Sequence, residues 1–133
     1  MEFFTPDPAV RRFEEPTFLY LGRLKRYKGI DLVLRAVGRL AAEGVAARLV
    51  VAGRGEQLDA LRGLALRLGI ADRVEFAGFV TEEGKRDLFR RVWANVFPSP
   101  KEGWGITNLE AAACGTATIA SDSPGLRESV VDG

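Results

Sequence analysis

The chain has 133 residues, 47% hydrophobic and 28% charged, which is typical of one globular domain. Its 19 basic and 18 acidic residues leave a net charge of +1, which gives no reason to expect nucleic acid as a partner. It has no histidine, no Asp-x-Asp, and only one cysteine, Cys114, which excludes His-based catalysis and an internal disulfide and predicts no metal site. Nothing nearby would activate Cys114, so we expect a core residue in a cytoplasmic protein. No apolar run approaches the roughly 20 residues of a membrane helix, so no transmembrane segment is predicted.

The chain begins with a segment, residues 1–15, that carries Pro6, Pro8 and a charged stretch, and we expect a linker or arm there. From residue 16 the pattern becomes regular and predicts one domain over 16–133. Five short apolar runs, bounded mostly by glycine, proline or other turn residues, are typical of buried strands. They are Thr17–Leu21, Arg48–Ala52, Val74–Ala77, Ala94–Phe97 and Thr116–Ala120.

Segments with helical spacing of apolar residues alternate with these strands. The predicted helices run from Ile30 to a stop at Gly44, from about Leu61 to a stop at Gly69, onward from a Thr81 cap, from about Gly105 to Cys114, and over Gly125–Val131. Apolar strands that alternate with helices predict an α/β fold, a Rossmann-like parallel sheet with helices on both faces. Such sheets bind ligands at the carboxyl ends of their strands, where every loop considered below lies.

The loop after the first strand, Gly22–Gly29, places four cations within six residues at a helix start. Backbone N–H groups and the helix dipole favour an anion there by roughly 0.3–1 kcal/mol. Lysine and arginine would add charge-assisted bonds to phosphate oxygens. A solvated basic loop is the alternative, but cations at a helix start are unfavourable without an anion. The pattern therefore favours an anion site.

Two further loops follow the second and third strands. Gly53-Arg54-Gly55-Glu56 permits either a tight turn or close approach to a ligand, and Leu58 stands where G-x-G-x-x-G needs its third glycine. The sequence supports both alternatives equally. Gly78–Lys85 has the glycines and lysine of a phosphate loop, but Arg86 occupies the Ser/Thr position and the glycine spacing is wrong. A capped strand-to-helix turn is favoured there.

The strongest signal is Glu102-Gly103-Trp104-Gly105, which leads from a strand into a helix containing Glu110. The glycines let the backbone turn sharply and expose its amides to a phosphate or a sugar hydroxyl. A carboxylate that holds a sugar diol makes a bond worth roughly 1.5–3 kcal/mol. Both acids could instead be solvated, yet Glu110 is flanked by apolar residues and needs a partner. The segment therefore predicts an acidic, glycine-rich ligand pocket.

Together these segments resemble the donor-binding half of retaining GT-B glycosyltransferases, and most closely the group usually called family 4. The motifs that carry the resemblance are Gly22-Arg23…Lys28-Gly29, Gly53-x-Gly55, Phe76-x-Gly78-x-Val80, and above all Pro98-Ser99…Glu102-Gly103-Trp104-Gly105…Leu109-Glu110-Ala111…Cys114-Gly115-Thr116 with its E-x7-E pattern. The resemblance covers residues from about 16 to 133. It implies one half of a GT-B fold that binds a nucleotide-diphosphate sugar for a hexosyltransferase.

The resemblance also implies roles for the matching residues. Arg23 and Lys28 would contact the diphosphate and stabilise the leaving group, and Glu102 would contact the donor hexose; these three are the predicted catalytic residues. Glu110 would hold the ribose hydroxyls, and Val80 with Lys85 would lie against the base. The predicted nucleotide-sugar site also includes Gly22, Gly55, Gly103, Trp104, Gly105, Ile106 and Thr107. Transfer would proceed with retention at the anomeric carbon and without a cofactor or an essential metal, since the diphosphate leaving group needs cations and amides.

The chain departs from the family pattern in one loop, and its extent differs from that of a complete enzyme of the family. Ser123–Glu128 departs from the family's usual Gly-Gly before Pro-Glu, and Phe4-x-Pro6 resembles the end of a linker from an N-terminal acceptor-binding domain. We therefore expect a domain truncated at its C-terminus and inactive alone, from a cytoplasmic and membrane-peripheral enzyme. One alternative is a regulatory or scaffolding domain that lost catalysis. The joint presence of four charged site residues argues against it: Arg23, Lys28, Glu102 and Glu110. The other is a nicotinamide-binding Rossmann domain, which the missing third glycine disfavours.

Overall fold

A parallel five-stranded sheet forms the centre of the computed structural model, which describes residues 3–98 and 106–120. The strands are Thr17–Leu21 (β1), Arg48–Ala52 (β2), Val74–Gly78 (β3), Ala94–Phe97 (β4) and Ala117–Ala120 (β5). Their order in the sheet is β3-β2-β1-β4-β5. β5 begins one residue later than predicted because Thr116 belongs to the preceding turn, where its amide donates to Ala111 O and its hydroxyl to Phe89 O.

Four helices connect the strands, and they confirm the predicted alternation. They are Ile30–Ala42 (α1), Leu58–Arg67 (α2), Glu82–Arg91 (α3) and Ile106–Ala113 (α4). Thr81 caps α3 as predicted, since its Oγ1 accepts a hydrogen bond from the Gly84 amide at 3.0 Å. The fifth helix predicted over Gly125–Val131 lies outside the described residues. In the described part of the chain no helix is long and apolar enough to cross a bilayer.

Side chains alternate along the strands between two apolar layers. Tyr20, Leu49 and Val51 pack in the layer with α1 and α2, whereas Leu19 and Val50 pack in the layer with α3 and α4. The chain crosses the sheet in one direction through α1 and α2, and in the other through α3 and α4. Connections of one handedness therefore place the two helix pairs on opposite faces. This arrangement confirms the predicted α/β fold with both faces of the sheet covered.

The N-terminal segment lies on the α3 side of the domain. Phe4 is only 5% exposed, and its ring packs against Phe89 of α3 with centroids 6.1 Å apart. The Arg12 guanidinium donates to carbonyl oxygens at and just after the C-terminal ends of α3 and α4. The acceptors are Phe89 O, Val92 O and Gly115 O, together with the Thr116 hydroxyl. Residues 3–13, hereafter the arm, are thus fastened along α3; the domain boundary after residue 15 stays a prediction.

Candidate functional site

A cleft of about 440 Å³ opens at the carboxyl ends of β1, β2 and β3. Its lining residues come from the loops that follow these strands and from the start of α3. They are Leu21, Gly22, Arg23, Ala52, Gly53, Arg54, Phe79, Val80, Glu82 and Lys85. The cleft borders the switch point between β1 and β4, where the strand order reverses and where ligands of open α/β sheets commonly bind. Four of the predicted site residues, which come from separate segments of the chain, line this cleft: Gly22, Arg23, Val80 and Lys85.

A hydrogen bond from Tyr20 and the burial of Leu24 fix the loop after β1. The Tyr20 hydroxyl donates to the Arg23 carbonyl at 2.7 Å, and Leu24 is fully buried, while the Arg23 side chain is exposed at the cleft. A 3-10 turn, Arg26–Lys28, then leads into α1 through Gly29, which has a φ of 74°. The loop is thus a fixed scaffold that directs a cation into the cleft.

The two lysines of this loop lie in different places. Lys25 turns to the surface, where its Nζ lies 3.7 Å from a Glu56 carboxylate oxygen. Lys28 stands at the entry to α1, next to Gly29, where an added Cβ would lie 3.2 Å from the Pro98 carbonyl oxygen. That contact places this end of the loop beside the end of β4, across the switch point from the cleft. Arg23 and Lys28 therefore flank the place where the strand order reverses.

In the loop after β2, Gly53 and Gly55 lie against the backbone of the loop after β1. A Cβ on Gly55 would lie 2.4 Å from the Leu24 carbonyl oxygen, and one on Gly53 would lie 1.8 Å from Gly22 O. The same oxygen of Leu24 accepts from the Gln57 amide at 3.1 Å. The glycines thus allow one loop's backbone to approach another loop's backbone. A contact of Gly55 with a donor sugar nucleotide stays a prediction.

An ion pair between the half-buried Lys85 and the buried Glu110 joins α3 to α4 at the edge of the cleft. Glu110 is 8% exposed, and its Oε1 lies 3.3 Å from Lys85 Nζ, which also lies 3.1 Å from Oε1 of the exposed Glu82. Burial lowers the pKa of Lys85, but hydrogen bonds and charges from the two carboxylates outweigh burial and raise that pKa above its ordinary value. Lys85 is therefore a fixed cation, and it is the partner that the apolar surroundings of Glu110 demand.

Two contacts in the structure, one at the cleft and one in the core, were not predicted from the sequence. Arg54 lies over the exposed Phe79 ring, 5.2 Å from its centroid, and both residues line the cleft. In the core, the Asn95 side-chain amide donates to Asn108 Oδ1 at 3.2 Å and so ties the first turns of α4 to β4. An asparagine in an apolar strand and another in an apolar helix were the available signals, but nothing in the sequence indicated that they pair.

Part of the predicted site lies outside the described residues. Glu102, Gly103, Trp104 and Gly105 belong to that part, and of Ile106 and Thr107 only the backbone, in the first turn of α4, is described.

Cys114 is 2% exposed, and burial raises the pKa of its thiol, which favours the unreactive form. The prediction of a core cysteine is therefore confirmed.

A second cavity, of about 330 Å³, lies on the face of the sheet that α1 and α2 cover. It is an apolar groove between α1 and the strands β1, β4 and β5. Its lining residues are Phe18, Leu32, Val33, Ala36, Val37, Leu40, Val96, Pro98 and Ile119. Among the described residues its lining is apolar, whereas two charged side chains of the predicted site, Arg23 and Lys85, line the cleft.

The chain is similar to known proteins over nearly its whole length. The family model for glycosyl transferases group 1 matches residues 5–133. An uncharacterized glycosyltransferase of Methanocaldococcus jannaschii is 38% identical over 86% of the chain and 29% of its own length. A D-inositol 3-phosphate glycosyltransferase of Mycobacteroides abscessus is 37% identical over 99% of the chain and 32% of its own length.

Solved structures extend the similarity to the fold. The pneumococcal O-GlcNAc transferase GtfA, solved in complex with UDP and GlcNAc, matches 98% of the chain with a TM-score of 0.85 and 23% identity. The fold is thus that of the Rossmann-like C-terminal domain of GT-B enzymes. The chain covers 25% of that protein, and it spans about a third of the length of the curated relatives.

Proposed function

Because the chain belongs to the glycosyl transferases group 1 family, we propose that it is the donor-binding domain of a retaining glycosyltransferase, which holds a nucleotide-diphosphate sugar in the cleft. The observation that supports this most is the meeting of Arg23, Val80 and the Lys85–Glu110 pair at the carboxyl edge of one sheet. These groups come from three separate segments. Together they offer a cation for phosphate, an apolar surface for a base and a carboxylate for hydroxyl groups.

The diphosphate lies at the loop after β1 in this proposal. Arg23 is exposed at the cleft, and Lys28 stands at the start of α1, where Gly29 provides no side-chain cap. The N–H groups of the first turn of α1 and its dipole add a positive potential at that point. The departing diphosphate develops negative charge during transfer, so these fixed donors stabilise the leaving group without a metal ion.

The nucleoside lies toward α3 and α4. Val80 lines the cleft and faces the base, while Glu110, whose carboxylate lies 3.3 Å from Lys85 Nζ, accepts hydrogen bonds from the ribose hydroxyls. Glu102 contacts the hexose, and the amides that follow it up to Thr107 place the sugar and phosphate. The acceptor binds to the N-terminal domain of the full-length enzyme, and the sugar is transferred with retention while the diphosphate assists the acceptor on the same face.

Calorimetric titration of the chain with UDP, GDP and ADP and with their sugars tests this proposal. UDP is the natural first probe because the pneumococcal transferase was solved with it. We expect one of these nucleotides to bind. The absence of binding by all of them at millimolar concentration, with the chain folded, would contradict the donor-binding function.

A double variant tests the diphosphate assignment. Arg23→Ala with Lys28→Ala should weaken nucleoside diphosphate binding by about 10- to 100-fold because two charge-assisted contacts are lost, and nucleoside binding should change little. Lys25→Ala with Arg26→Ala removes the same charge from the same loop and serves as the control. Equal losses for nucleoside and diphosphate, or for the two double variants, would count against the assignment.

The alternative of a regulatory domain that lost catalysis makes a different prediction for the full-length protein. An active enzyme transfers sugar from the nucleotide that the domain binds, and this activity should persist in the presence of a chelator because the proposal requires no metal. A full-length protein that binds the nucleotide sugar yet transfers nothing to any acceptor would favour the regulatory alternative.

A further inference from the structure

The arm places an aromatic ring next to the Lys85–Glu110 pair. The Lys85 ammonium lies over the Phe4 ring, 5.7 Å from its centroid, while the same nitrogen lies 3.3 Å from Glu110 Oε1. Phe4 is 5% exposed and belongs to the apolar cluster that includes Ala111, the neighbour of Glu110, with Val80 packed against it. The ring thus lies behind residues that line or border the cleft.

Several hydrogen bonds hold the arm in this position. Arg90 of α3 donates from Nε to the Thr5 carbonyl at 2.8 Å and from a terminal nitrogen to the Thr5 hydroxyl at 3.1 Å. Further along, the Phe13 amide donates to Arg91 O at 2.9 Å. Because Thr5 follows Phe4 directly, the bonds to Arg90 fix the backbone beside the ring. The position of Phe4 is therefore set by α3, the helix that also carries Lys85.

The ring limits where the ammonium can go. A cation is attracted to the face of an aromatic ring, and the attraction grows when both groups are withdrawn from water. The Lys85 side chain is 17% exposed, with the ring on one side and Glu82 and Glu110 as its carboxylate partners. An aliphatic residue in place of the ring would fill similar space without this attraction. Lys85 would then shift toward the exposed Glu82 and leave Glu110 less firmly held.

We propose that Phe4 is a positioning residue of the donor site, whose ring holds the Lys85 ammonium against Glu110 and so fixes the carboxylate that binds the ribose hydroxyls. This inference rests on the proposed function, because it assumes that Glu110 meets a ribose. It makes the arm part of the donor site. It also gives the arm a means of influencing how firmly the nucleoside is held.

The test is the preference of the chain for UDP over 2′-deoxy-UDP, measured by calorimetry, with GDP or ADP and its deoxy form replacing UDP if that base is preferred. The wild-type chain should prefer the ribonucleotide by about tenfold or more, since a hydroxyl bonded to a carboxylate is lost in the deoxy form. Phe4→Leu should reduce this preference at least about threefold, the size expected for a lost cation–ring contact. Phe3→Leu is the matched control, because the neighbouring Phe3 ring lies under Arg86.

A second background separates positioning from loosening of the fold. In Lys85→Met, Phe4→Leu should no longer change the ribose preference, because the ring acts through the ammonium. Thermal unfolding shows whether each variant is folded, and Phe4→Met, which keeps the apolar volume, replaces Phe4→Leu if the latter unfolds. An unchanged preference in the Phe4 variant, or an equal loss for both nucleotides, would overturn the inference while leaving the donor-binding function intact. Failure of every nucleotide to bind the folded wild-type chain would overturn the function itself.

Discussion

The two sides of the cleft are built in different ways. On the β1–β2 side, backbone approaches backbone through Gly53 and Gly55, and the Arg23 side chain is exposed above this scaffold. On the α3–α4 side, buried side chains form the structure, with Lys85 joining Glu110. The first side is therefore fixed by glycine conformation and close approach, whereas the second is fixed by charge. Substitution of the glycines on the first side should affect mainly folding, whereas substitution of Glu110 on the second side should affect mainly ligand binding.

The largest effect should come from the backbone side. Gly53 has a φ of +142°, and an added Cβ would lie 1.8 Å from Gly22 O, so Gly53→Ala forces the two loops apart. We expect a loss of about 3 kcal/mol or more in the free energy of unfolding, measured with urea. Gly69→Ala is the control, since Gly69 also has a positive φ, +73°, but open space around its Cβ position. That variant should lose only about 1–2 kcal/mol, and similar losses in both would contradict the interlocked loops.

An intermediate effect is expected for the charged side, on binding. Glu110→Gln removes the charge that the ribose hydroxyls are proposed to meet, and nucleoside diphosphate binding should weaken by about 10- to 100-fold. Glu82→Gln is a matched control because Glu82 contacts the same Lys85 nitrogen but is exposed. Calorimetry on both variants measures their affinities for the nucleoside diphosphate. An equal loss of affinity in Glu110→Gln and Glu82→Gln would show that Glu110 acts only through Lys85.

The smallest effect is a dependence of stability on pH. Because the folded-state pKa of Lys85 is raised above its ordinary value, its ion pairs stabilise the fold at neutral pH, and this contribution is lost as the pH rises through the raised pKa. The difference in unfolding free energy between wild type and Lys85→Met should be on the order of 1 kcal/mol near neutral pH and should shrink in strongly alkaline solution. A difference that stays constant or grows with pH would contradict the ion pair.

Local patterns in the sequence predict the strands and the start of α3, but not the contacts that complete the site. Thr17–Leu21 and Arg48–Ala52 match their predicted bounds because buried parallel strands are continuous apolar runs ended by glycine. Thr81 was identifiable as a cap because capping depends on a residue four or fewer positions away. These features are governed by interactions between near neighbours in the chain, which a single sequence records.

The contacts that complete the site depend on how the helices and strands pack against one another. Lys85 and Glu110 are 25 residues apart, and their contact follows from the placement of α3 beside α4, so the sequence did not predict it. The contact of Lys85 with a base stays a prediction. Phe4 lies in a segment without periodicity, and its burial depends on the surface that α3 presents. The paired Asn95 and Asn108 were missed for the same reason.

The central claim is that the cleft at the carboxyl ends of β1, β2 and β3 binds a nucleoside diphosphate. Backbone-amide NMR of the chain, titrated with the tightest binding of UDP, GDP and ADP, tests it most directly. We predict perturbed amides along Gly22–Lys28, at Gly53 and Arg54, along Val80–Lys85 and at Glu110. Perturbations confined to the apolar groove, at Leu32 and Ile119, or no perturbation at all with the chain folded, would contradict the claim.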